Sequence, residues 1–273
     1  ITVNGHSSEI HACNVEEQKR ILEFSLEEVG DKLPIINGVY SDGSLEAAKI
    51  ARMAQDLGAS ALLCFPPQSM SMGGSLRPEM AIEHFKRISD ASDLPLICFN
   101  YPLVGGLSYP FETLLKLFEE VPTIKAIKDW CNDPMRHEKH IRRFQNLSNP
   151  VNVLTTHSSW LMASLVMGAN GLLSGAGSVI APLQVKLFNA LKRNNLEKAK
   201  AINDKIFPLV QLFYKPPFLD MHNRMKETLV ILKAMEKAIV RPPLMKLPKN
   251  EIEELKKVIN TISFDNEENF IKV

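Results

Sequence analysis

Residues 44–65 read SLEAAKIARMAQDLGASALLCF, and their reading decides the fold class. Ala47, Ile50, Ala51 and Ala54 recur at helical spacing and form a narrow apolar face, with Ser44 placed to cap the start. Gly58 then ends the helix, because glycine takes the left-handed backbone at little cost. The period changes at once. Residues 60–65 (SALLCF) are continuously apolar, as in a strand covered on both faces of a parallel sheet.

The same alternation runs outward in both directions. Strands are predicted at 1–4, 33–37, 60–65, 95–99, 124–128, 151–155 and 170–174, which makes seven. Asn14 with Glu17 forms a capping-box signature ahead of Ile21, Phe24, Leu26 and Val29. Pro78 suits the first turn of a helix over 78–91, and further helices are expected at 110–120, 133–146, 158–167 and 180–193. After residue 195 three helical stretches follow without a strand: 196–213, 220–238 and 249–261. Proline-rich YKPPF (214–218) and RPP (241–243) separate them.

Repeated βα units imply a parallel sheet with right-handed crossovers, either open and doubly wound or closed as a barrel. Seven strands do not close an eight-stranded barrel, but the chain opens on Ile1 inside an apolar run. One further βα unit ahead of it would complete eight.

Composition narrows the function. An apolar share of 45% over 273 residues supports a full core, and a formal net charge of +1 gives no reason to expect nucleic acid or a membrane as partner. No apolar run approaches the roughly 20 residues of a membrane span. Cys13, Cys64, Cys98 and Cys131 are scattered; Cys64 and Cys98 lie in strand-like runs and read as buried free thiols, weak support for a reducing, cytoplasmic setting.

In a barrel, functional groups gather at the C-terminal ends of strands. Lys128 stands out there, after Ile124, Ala126 and Ile127 on a run expected to be buried. Burial lowers a lysine pKa, and the neutral amine is a nucleophile for carbonyl carbon. The competing reading is a lysine that snorkels or pairs with Asp129. His137 and His140, among Arg136, Arg142 and Arg143, read as the solvated side of helix 133–146, with no acidic partner for a metal. Residues 175–178 (GAGS) read as a tight turn before a helix, and 70–74 (MSMGG) as a loop over the active face.

The ordered set of strand-end motifs resembles the dihydrodipicolinate synthase / N-acetylneuraminate lyase family of class I aldolases. It comprises Gly5-His6-Ser7-Ser8-Glu9, 33–38 (LPIING), 48–65, 94–102 (LPLICFNYP), 124–129 (IKAIKD), 168–174 (GANGLLS) and 241–244 (RPPL). The resemblance implies a (β/α)8 TIM barrel over 1–195, a C-terminal helical extension over 196–273, and a homo-oligomer, tetramer or dimer. It implies that Lys128 forms an imine with a small 2-oxo acid such as pyruvate, with no cofactor or metal. Gly5, His6 and Ser7 stand where the family binds the substrate carboxylate, and Phe99 and Leu173 are expected to line the substrate.

The departures matter. Phe99 replaces the family's proton-relaying tyrosine, Pro67 and Gln68 stand in place of a tyrosine pair, and Val104 aligns with the arginine of true dihydrodipicolinate synthases. Protons must move otherwise. Tyr101, two residues past Phe99, and His157, at the end of the next strand, are the candidates. The expectation is a Schiff-base lyase, an aldolase or a dehydratase. The alternatives are the synthase itself and a non-catalytic 2-oxo-acid sensor.

Overall fold

The computed structural model describes residues 1–262. The end of the expected 196–273 extension, residues 263–273, lies outside them. Packing divides the chain into two compact units: Ile1–Thr156 with Met167–Leu172, and His157–Val166 with Leu173 onward.

The first unit is built from β1 (Thr2–Val3), α1 (Val15–Val29), β2 (Ile36–Val39), α2 (Ser44–Leu57), β3 (Ala61–Cys64), α3 (Pro78–Ala91), β4 (Leu96–Asn100), α4 (Phe111–Glu120), β5 (Ile124–Asp129), α5 (Pro134–Phe144), β6 (Asn152–Thr155) and β7 (Gly171–Leu172), with α6 (Leu161–Val166) falling in the second unit. The seven strands form one parallel sheet in chain order, β1 to β7. This is the strand order of an α/β barrel. β3 and β4 are buried from end to end, apart from half-buried Ala61 at the start of β3, which explains their unbroken apolar runs.

Local signals explain the helices. Asn14 and Glu17 cap α1 reciprocally, at 2.9 and 3.0 Å. Gly58 closes α2 with φ of 102°. Ser44 does not cap α2; Gly43 takes that position and the Ser44 hydroxyl meets His84 Nδ1 at 3.0 Å. β2 starts three residues later than expected and continues through Val39. Gly38 is obligatory there, since a Cβ would fall 1.7 Å from the Asn4 carbonyl oxygen.

The second unit is helical: α6, then α7 (Gly177–Lys192), α8 (Leu196–Phe213), α9 (Met221–Ile231) and α10 (Lys249–Thr261). α8 and α10 match their predicted spans, whereas α9 stops short of residue 238. None of the four cysteines forms a disulfide, and three are buried. No helix among the described residues is long and apolar enough to cross a membrane.

Candidate active site

Lys128 is 4% exposed, the penultimate residue of β5, and pairs in register with Phe99 of β4. Its Nζ lies 4.0 Å from the Phe99 ring centroid. Burial lowers the ammonium to about 7, so much of the amine is unprotonated near neutrality. Among the described residues no carboxylate pairs with it, and Asp129 does not fill that role. Neighbouring strand residues face opposite ways, and Asp129 turns towards α5.

An aromatic wall gathers beside the amine from the ends of five strands. The Phe99 and Tyr101 centroids are 4.4 Å apart, so Tyr101 does share Phe99's side. Trp130 lies 5.5 Å from Tyr101. The His6 ring, half-buried, meets Phe99 at 5.9 Å, Tyr101 at 5.9 Å and Trp130 at 5.7 Å. Phe65 packs 5.3 Å from Phe99, and Tyr40 5.5 Å from Phe65. Burial pushes the Tyr101 phenol up, with Tyr40 adding to it, so Tyr101 is protonated across the neutral range. Trp130, Tyr40 and Phe65 were not singled out from sequence. The signal for Trp130 was its i, i+2 relation to Lys128, which sets both on one face.

Gly5-His6-Ser7 forms the start of a tight 3-10 turn, His6–Ser8. The Gly5 N–H donates to Ser8 Oγ at 3.0 Å, so it is engaged within the turn. Ser7 is half-buried.

His157 and Leu173 belong to the second unit. His157 is buried and stacks on Trp160 at 4.0 Å; it holds the position before the turn Ser158–Trp160 without a side-chain cap bond. Leu173 is half-buried. In the same unit Ser174 Oγ meets Ser158 Oγ at 2.7 Å and accepts from Gln184 at 2.8 Å. Residues 174–178 are closed by their own backbone bonds, Gly177 N–H to Ser174 and Ser178 N–H to Gly175, as a tight turn should be.

The reverse side of β5 corrects a further expectation. His137 and His140 are not solvated: both are fully buried, and each Nδ1 lies 2.8 Å from Asp129 Oδ2. Asp129 Oδ1 accepts from Asn100 Nδ2 at 3.0 Å and from the Cys131 N–H at 3.2 Å. Burial alone would raise this carboxyl, but the two imidazoles hold it well below its ordinary value. Potential ligand atoms of Asp129, Cys131 and His140 lie within 4.8 Å of one another. The imidazole–carboxylate contacts, however, have N–H···O length, shorter than the roughly 3.3 Å between ligands on tetrahedral zinc. The arrangement is a hydrogen-bonded network.

Comparison with known proteins bears on the family and the fold. The sequence profile of the Dihydrodipicolinate synthetase family matches residues 1–262. The 4-hydroxy-tetrahydrodipicolinate synthase of Rickettsia typhi is 24% identical over 96% of this chain and 85% of its own. Among solved structures, the prophage protein YagE of E. coli K12, a dihydrodipicolinic acid synthase family member in complex with pyruvate, superposes with a TM-score of 0.85 at 22% identity, over 96% of this chain and 86% of that one. The sialic acid aldolase of Ruminococcus gnavus gives 0.84 at 21% identity, over 96% and 84%. The seven parallel strands with flanking helices thus have the TIM-barrel-like fold of these enzymes, and the chain belongs to the dihydrodipicolinate synthetase family.

Proposed function

We propose that this protein is a Schiff-base-forming lyase of the class I aldolase type, acting on pyruvate or a small 2-oxo acid such as a 2-keto-3-deoxy sugar acid. The observation that carries this reading is Lys128: a buried, carboxylate-free amine at a strand end, with its pKa brought down to about 7. The amine adds to the 2-oxo carbon, and loss of water leaves the imine. The imine then accepts the electron pair released when a neighbouring bond to carbon or hydrogen breaks. Tyr101 and His157, the two acid–base candidates of the sequence, are assigned to proton transfer. The turn that Gly5 opens, with His6 and Ser7 as its donors, is assigned to the substrate carboxylate, and Phe99 and Leu173 to the rest of the substrate.

Phe99 and Val104 speak against 4-hydroxy-tetrahydrodipicolinate synthase itself. Phenylalanine carries no proton, and Val104 is 92% exposed and has no charge for a second carboxylate. A non-catalytic sensor would have no use for a costly buried amine. Residues 1–195 as barrel and 196–273 as extension, a homo-oligomer, and a cytoplasmic setting consistent with four cysteines outside any disulfide belong to the same proposal.

Borohydride reduction in the presence of pyruvate and a panel of 2-keto-3-deoxy sugar acids tests it. A reduced adduct on the peptide carrying Lys128 is expected. No adduct with any of them, from folded protein, would leave the sensor as the better reading. Light scattering in solution tests the oligomer.

A further inference from the structure

We propose that Asp129 is a positioning residue for Lys128: its carboxylate ties the end of β5 to Asn100 of β4 and to His137 and His140 of α5, and so fixes where the amine stands against Phe99. The inference rests on the imine reading and adds a second layer of residues to it.

The Asp129 carboxylate is buried and fully engaged. A carboxylate offers about four acceptor positions, and four donors fill them: Asn100 Nδ2, the Cys131 N–H, and the Nδ1 atoms of His137 and His140. Asn100 is held in turn, its Oδ1 accepting from the Ser108 hydroxyl at 3.3 Å and the Tyr109 N–H at 3.2 Å. The His140 ring stacks on Phe144 at 4.9 Å and 19°, which fixes its tilt. Asn100 and Asp129 are register partners, as are Phe99 and Lys128 beside them. The two pairs point to opposite faces, so anchoring one sets the other through the backbone. The Trp130 N–H to Asn100 carbonyl bond, 2.9 Å, carries the tie past the strand end to the aromatic wall.

A purely structural role would need only that α5 be held to the sheet. A positioning role demands more, because nucleophilic addition is sensitive to placement. An error of about 1 Å can cost on the order of 100-fold in rate.

The test uses the full chain and the rate of borohydride trapping by pyruvate at saturation, with the apparent pyruvate affinity and the unfolding midpoint measured alongside. Asparagine places an amide N–H near the histidine Nδ1 position, glutamine near Nε2, and leucine offers none. His137→Leu and His140→Leu are expected to trap about 10-fold or more slowly, with pyruvate affinity within about 2-fold of the parent. His137→Asn and His140→Asn should recover to within about 3-fold of the parent rate, even where their midpoints stay lowered. Leucine variants that are less stable yet trap at the parental rate would overturn the proposal, leaving the network structural. If the leucine variants do not fold, the asparagine and glutamine variants decide it: equal trapping rates overturn it, and about 10-fold faster trapping by asparagine supports it. Absence of trapping in the parent protein would count against the imine itself and would take this inference with it.

Discussion

At the scale of the residue, the state of Lys128 sets the pH dependence. Only the unprotonated amine attacks carbonyl carbon, and burial brings its pKa down to about 7. Initial trapping rates with pyruvate should therefore rise about tenfold per unit below pH 7 and level off above it. A rise continuing to pH 10 would mean an amine in ordinary solvation. Tyr101→Phe keeps the ring and removes only the O–H, so if Tyr101 transfers a proton in the transition state, turnover should fall by about 100-fold or more with little change in KM. Steady-state kinetics at pH 7 checks this. Lys128 was legible because a lysine after three apolar residues on a buried run has few inexpensive roles. His137 and His140 were misread because residues 133–146 carry so many charges that a histidine there looked solvated. The spacing held the answer: His137, His140, Ile141 and Phe144 fall at i, i+3, i+4 and i+7, one buried helix face.

At the scale of the element, the signals that served were those with a single physical cause. The Asn14–Glu17 box is one. Asn14→Ala removes the acceptor for the Glu17 N–H and should cost about 1 kcal/mol in urea unfolding. Gly38 is another, although its cause lay in the fold. Gly38→Ala drives a methyl into the Asn4 carbonyl and should cost about 2–3 kcal/mol or more, read from the same transition. The Ser44 cap failed because a hydroxyl has other partners within reach, here His84. The end of α9 was illegible for a related reason. The Lys233 N–H returns to Val230 and the Ala234 N–H to Leu229, with Lys233 at φ of 60°, a left-handed stop that usually carries glycine or asparagine. With lysine there, the apolar period ran on to residue 238 unchecked.

At the scale of the whole molecule, buried titrating groups shape stability against pH, and the signs can be worked out one by one. Burial lowers His84 to about 4, so its contribution is complete above the unfolded value near 6.5 and is lost as pH falls towards 4. Asp129 is depressed too, and its contribution fails only at lower pH still. Lys128 is depressed from 10.5 to about 7. Between those values the unfolded chain binds a proton that the folded chain does not, so stability rises with pH by roughly 1.4 kcal/mol per unit. Below pH 7 both states are protonated and the burial penalty is felt in full. Lys128→Met removes the penalty while keeping an unbranched chain against Phe99. The variant should therefore be more stable than the parent at pH 6 and 7. Its advantage should shrink as pH climbs from 7 towards 10.5. The acid limb set by His84 and Asp129 should be the same in both proteins. Urea unfolding followed by Trp130 fluorescence, in a Trp160→Phe background because these are the chain's two tryptophans, would measure it. An advantage that does not vary with pH would mean that the folded protein holds Lys128 protonated throughout this range, and that the amine cannot be the nucleophile at neutral pH.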